Sequence, residues 1–118
     1  MTKLFPLLQL QSQNAQRVEL QLHISADIYY FAGHFPQAPV LAGVTQLHWV
    51  VHYSKQYFAG LDEVISVEVL KFQLMIRPED VLTLQLELSN SNTTLFTYLK
   101  DGQKVASGRL KWSLQPDA

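Results

Sequence analysis

Hydrophobic and polar positions alternate without a break from Arg17 to Ile24. Val18, Leu20, Leu22 and Ile24 fall on one side, and Arg17, Glu19, Gln21 and His23 on the other. A period of two predicts a half-buried strand. The same alternation returns at Val81–Leu88, where Leu82, Leu84, Leu86 and Leu88 oppose Thr83, Gln85 and Glu87. Before it lies a long β-rich run, Val64–Ile76, closed by the turn sequence Arg77-Pro78-Glu79-Asp80. Thr94–Leu99 and Lys104–Trp112 flank Asp101-Gly102, a pair suited to a two-residue hairpin in which both central positions take positive φ. The first fourteen residues hold a short apolar run interrupted by Pro6 and read as a loop or short helix leading in. Gln115–Ala118 reads as a frayed tail.

From Gly43 the period changes. Projected at about 100° per residue, Val44, Leu47, Trp49, Val50, Val51, Tyr53, Tyr57 and Phe58 fill a broad apolar arc. Thr45, His48, His52, Lys55 and Gln56 share a polar stripe, and Gln46 falls outside this division. This predicts one long helix from about Gly43 to Phe58, buried over most of its circumference and ended by Gly60. A flat sheet cannot cover such a helix. The expected architecture is α+β, a curled antiparallel sheet wrapped around the helix, with a second copy covering what remains.

Composition narrows the chemistry. At 118 residues the chain fits a single domain, and its formal net charge of −1 gives no support for nucleic acid as a partner. Hydrophobic residues make up 47% and charged residues 16%, a balance that points to apolar surface covered by another subunit. The absence of cysteine excludes thiol catalysis, disulfides and thiolate metal sites. No run reaches transmembrane length, and the N-terminal apolar run lacks a small-residue cleavage site, so a cytoplasmic protein without a membrane span is expected.

Three of the four histidines lie between Tyr30 and His52. Within this stretch, His34-Phe35-Pro36-x-x-Pro39-Val40-Leu41-x-Gly43-Val44 resembles the signature of the hotdog-fold 3-hydroxyacyl thioester dehydratases. Family members read G-H-F-P-x-x-P-[VIL]-[ML]-P-G there, immediately before their central helix. Lys71-Phe72-x-x-x-Ile76-x-Pro78-x-Asp80 is similar to the family's strand ending at a Pro-Gly-Asp turn, and the terminal hairpin also fits. The resemblance covers roughly residues 17–112, and the wording GVTQLHWV is similar to the small dehydratase-like proteins of aryl-polyene lipid clusters.

Dehydration of a 3-hydroxyacyl thioester needs a base for the α-proton, an acid for the departing hydroxyl and a positive field at the thioester oxygen. A neutral imidazole suits the first task. The resemblance gives it to His34, in a loop braced by prolines. The N–H groups of Gly43 and Val44, at the positive end of the helix dipole, would polarise the carbonyl. Phe35 and Pro39 would line the substrate site. The family places Glu or Asp fourteen residues after the histidine, and here that position is His48. Protonated His48 is a competent acid, but two close histidines resist both being charged. The proline that usually precedes the helix glycine is Ala42.

The remaining candidates divide between structural and functional readings. His52 reads as part of the polar stripe. Its spacing from His48 is one that metal-binding helices also use, but no acidic neighbour completes a zinc motif and the family is metal-free. Neither a metal nor a cofactor is implied. Tyr29 and Tyr30 read as core or acyl-tunnel residues. Asp27, Glu63 and Glu68 are replacement acids in principle, and Lys71, Arg77, Arg109 and Lys111 could meet an acidic carrier protein or a pantetheine phosphate.

The leading expectation is a 3-hydroxyacyl thioester dehydratase acting on acyl carrier protein or coenzyme A thioesters. The resemblance implies a homodimer or higher homo-oligomer in which one subunit's histidine meets the other's helix residue. A hetero-complex with another hotdog subunit is a further form. The alternatives are an acyl-thioester-binding or non-catalytic partner subunit and, on the same fold, an acyl-thioesterase.

Overall fold

The computed structural model describes residues 5–26 and 42–116. Its elements run β1 (Leu7–Gln13), β2 (Arg17–His23), α1 (Gly43–Tyr57), β3 (Leu61–Phe72), β4 (Val81–Asn90), β5 (Thr93–Lys100) and β6 (Gln103–Leu114). The strands form one sheet in the order β1-β2-β4-β5-β6-β3, with every neighbouring pair antiparallel. The chain leaves β2 near one edge, passes through α1 and re-enters at the far edge as β3. This is the hotdog arrangement, a curled antiparallel sheet holding one helix.

The period-two stretches behave as their pattern demands. Val18, Leu20, Leu22 and Ile24 are all buried, and Leu82, Leu84 and Leu86 of β4 join them. In register, Leu20 opposes Leu84 and Leu22 opposes Leu82, so the two rows form one apolar surface. Phe96 and Tyr98 of β5 and Leu110 and Trp112 of β6 extend it, and Trp49, Val50 and Tyr53 of α1 pack down onto it. Each fully buried side chain of this size stabilises the fold by about 1.5–3 kcal/mol. Tyr98 ties the layers together, its hydroxyl donating to the Gln46 carbonyl at 2.7 Å. The Asp101-Gly102 turn adopts φ values of 51° and 79°, as its hairpin requires.

Three expectations need correction. The lead-in is neither loop nor helix from Leu7 onward, but strand β1. Its Leu8 and Leu10 oppose Leu22 and Leu20. The Leu7-Leu8 doublet and a register shift between Leu10 and Ser12 had hidden the alternation.

The β-rich run also stops at Phe72 rather than Ile76. Beyond it, the N–H groups of Gln73 and Leu74 both donate to the Val105 carbonyl. A regular ladder cannot converge on one carbonyl in that way.

The helix, lastly, departs from its predicted division at Val44, which is exposed, and at Thr45, which is buried. Its buried residues are Thr45, Gln46, Trp49, Val50, Tyr53 and Ser54, whereas Val44 is 75% exposed. The sheet selects a face that includes polar side chains and leaves part of the apolar arc open. No helix among the described residues is long and apolar enough to cross a membrane.

Candidate functional site

Helix α1 begins without a side-chain cap. Ala42 occupies the N-cap in an extended conformation, and no acidic residue lies in the first turn. Its carbonyl accepts from Thr45 N–H at 3.1 Å and from Gln46 N–H at 3.2 Å. The two preceding amides, those of Gly43 and Val44, have no acceptor within the helix. They lie where the helix dipole is positive, and no acidic residue of the first turn offsets it. Gly43 is also crowded. A Cβ built there would lie 2.7 Å from Cζ of Phe72, at the end of β3. Glycine is the residue that lets this ring sit over the helix start.

Further along α1, His48 and His52 are both exposed. They share one helix face, being four residues apart. Phe5, just before β1, lies across them. Its ring centroid is 4.4 Å from that of His52 and 5.8 Å from that of His48, with interplanar angles of 33° and 27°. His52 also meets Tyr53 edge-on at 5.2 Å. Burial, and secondarily the charge of His48, hold the His52 imidazole below its ordinary pKa.

The acids considered as replacements are placed unequally. Glu68 accepts from Arg109 Nε at 2.9 Å and lies 3.7 Å from Lys111 Nζ. The Arg109 hydrogen bond, chief among several causes, holds its carboxyl below the usual range. Glu68 is therefore an ionised partner of two basic residues, not a proton donor. Glu63 is exposed on β3, its backbone N–H donating to Ser113 Oγ at 3.1 Å. Arg109 and Lys111 are occupied with Glu68, while Lys71 and Arg77 are exposed. His34, Phe35 and Pro39 lie outside the described residues, as do Asp27, Tyr29 and Tyr30. Among the described residues, no group of three metal-ligating side chains surrounds His48 and His52.

The chain has relatives among known proteins. Residues 10–109 match the family described as ApeI-like, ApeI dehydratase. The chain belongs to the ApeI-like dehydratase family. A 3-hydroxyacyl-(acyl-carrier-protein) dehydratase FabZ of Oenococcus oeni is 30% identical, over 86% of this chain and 81% of that protein. Among solved structures, the dehydratase heterocomplex ApeI:P from Xenorhabdus doucetiae contains a chain 27% identical to this one. It superposes with a TM-score of 0.77 over 90% of this chain and 96% of that one. A hypothetical thioesterase with coenzyme A from Streptococcus pneumoniae reaches a TM-score of 0.73 at 12% identity, covering 97% of this chain and 90% of that one, a likeness of fold alone.

Three features of this ApeI-like chain escaped the sequence reading. Phe5 and Phe72 both approach α1 from elements distant in sequence; Phe5 lies in no motif, and the Lys71-Phe72 stretch did not indicate that its ring meets Gly43. The third is a clamp on the chain between His23 and Ala26. Glu79 takes a positive φ of 70° in the turn before β4. Its carboxylate meets His23 Nε2 at 2.8 Å and accepts from Ala26 N–H at 3.0 Å, and its own N–H donates to the Ile24 carbonyl. The departure from a Pro-Gly-Asp turn at this position was the available signal. A non-glycine residue at positive φ is held there by its contacts.

Proposed function

We propose that this chain removes water from 3-hydroxyacyl thioesters, carried on acyl carrier protein, to give trans-2-enoyl thioesters. The observation that carries this reading is the uncapped start of α1 at Gly43, with His48 presented on the same helix directly after the His34-Phe35-Pro36 phrase. Neutral His34 takes the α-proton. The electron pair moves onto the thioester oxygen, where the Gly43 and Val44 N–H groups stabilise it. As the pair returns to form the α,β double bond, the β-hydroxyl leaves with a proton from His48, as water. Phe35 and Pro39 wall the acyl group. Helix α1 contains no carboxylate to perform the acid step, and Glu68 is committed to Arg109.

The site is shared in this reading. The uncovered side of α1 and the apolar edge strand β3 pair with a second hotdog subunit, and His34 of one subunit serves the helix of the other. Exposed Val44, Ile65 and Val69 support this pairing, since a long apolar edge strand in water invites association.

A second reading follows from the imidazole at position 48 together with likeness to a subunit of a dehydratase heterocomplex. Here the chain is the non-catalytic partner of a related hotdog subunit.

Interconversion of 3-hydroxyacyl and trans-2-enoyl carrier thioesters, wild type beside His34→Ala, separates the two. Turnover that disappears in the variant establishes the dehydratase. Turnover that arises only when a second hotdog subunit is added, and survives His34→Ala, establishes the partner.

A further inference from the structure

The acid step assigned to His48 leaves open which of two neighbouring imidazoles holds the proton. His48 and His52 are one turn apart, with Cβ atoms about 5–6 Å from each other by helix geometry. Two imidazolium charges at that separation repel, so a proton on one ring disfavours a proton on the other. A proton on His52 would be wasted, and its charge would reduce the protonated fraction of His48.

The surroundings break the symmetry. The Phe5 ring lies 4.4 Å from His52 but 5.8 Å from His48. Tyr53 closes a further side of His52, and burial keeps its phenol protonated. Phe5 also contacts Tyr53 at 6.2 Å, so the two rings shield adjoining sides of His52, whose remaining surface is open to water. Covering an imidazole on two sides removes water from its charged form. Among the described residues the charge acting on His52 is that of His48. The segment from Phe5 to Gln13 carries no ionisable side chain, and Lys55, the next cation on α1, is exposed.

We propose that Phe5 is a positioning residue for His48: by covering His52 it keeps that ring neutral and reserves the proton of the pair for the catalytic acid. Phe5 touches neither the thioester nor the departing hydroxyl in this scheme. It acts through His52. The inference rests on the reading of His48 as the acid, and its test has a part that does not need turnover.

The imidazole Cε1–H resonances are titrated by NMR in wild type, Phe5→Ala, Phe5→Leu and His52→Gln, and kcat is measured against pH in the same proteins. In wild type, His52 titrates below His48. In Phe5→Ala the His52 midpoint rises and the alkaline limb of kcat moves to lower pH. Phe5→Leu, which keeps an aliphatic cover, stays near wild type. Combined with His52→Gln, Phe5→Ala no longer moves the limb. If Phe5→Ala does not fold, a rise of the His48 midpoint in His52→Gln carries the test. The proposal is overturned if His52 titrates at or above His48 in wild type, or if Phe5→Ala lowers kcat equally at every pH. Absence of turnover in the wild type overturns the dehydratase reading alone, and the order of the two NMR midpoints then decides the role of Phe5.

Discussion

Gly43 and Gly108 meet aromatic rings at the same distance, and what surrounds each ring sets the cost of a methyl group. A Cβ at Gly43 would lie 2.7 Å from Phe72, and one at Gly108 would lie 2.7 Å from Phe96. Phe72 is half exposed at the end of an edge strand and can swing aside, whereas Phe96 is buried in the core. Gly43→Ala should therefore cost less than about 1 kcal/mol, and Gly108→Ala about 1–3 kcal/mol, because only the second overpacks a fixed neighbour. Urea unfolding of the two variants checks the order. At His48 the expected changes are in activity. His48→Ala should lower kcat by about 10²- to 10⁴-fold, the contribution of a positioned acid. His48→Glu should retain or raise it, measured as enoyl thioester formation. Gly43 was legible in the sequence because a glycine at a helix start has a recognisable place. Its partner Phe72 was not, because the contact depends on where the register shift after Glu68 aims the end of β3.

At the scale of elements, legibility tracked the cleanness of the period. β2 and β4 alternate without exception and came through whole, and the β5–β6 hairpin was announced by its turn. β1 was missed because its alternation is interrupted and its strand character comes from pairing with β2. The division of α1 was largely legible: Trp49, Val50, Tyr53 and Phe58 are buried, Leu47, Val51 and Tyr57 pack against the core, and His48, His52, Lys55 and Gln56 are exposed. It failed at Val44 and Thr45, in the first turn, where the exposed and buried positions are exchanged. The turn before β4 supplies an element-scale prediction. Glu79 bears the cost of a positive φ, about 1–2 kcal/mol for a residue with a Cβ, and offsets it through His23 and Ala26. Glu79→Ala keeps the strain and loses both contacts, while Glu79→Gly loses the contacts and the strain together. Thermal unfolding should place the alanine variant below the glycine variant, the reverse of the order in an unstrained turn. Equal midpoints would mean that the backbone at this position carries no strain.

For the molecule as a whole, the sheet ends in two unlike edges. β1 is short and alternates leucine with glutamine or serine over most of its length. β3 is longer and leaves Ile65, Val67, Val69 and Phe72 exposed beside the open side of α1. Isolated exposed apolar residues are ordinary, but a contiguous row on an edge strand that is unpaired among the described residues suits association with another chain. The candidate site needs that chain, since the proposed scheme places the base and the acid on different subunits. Association and activity should therefore fail together. Ile65→Lys with Val67→Lys changes side chains that are already exposed in the single subunit, so the cost to its own fold should stay within about 1 kcal/mol. At the pair interface, the same change would bury two unpaired ammonium groups, which the contact cannot tolerate. Sedimentation should show wild type as a pair and the variant as a single subunit, with turnover lost although circular dichroism is unchanged. If wild type alone sediments as a single subunit, the edge fits a different hotdog chain. Adding that chain should then produce a paired species with wild type and none with the lysine variant.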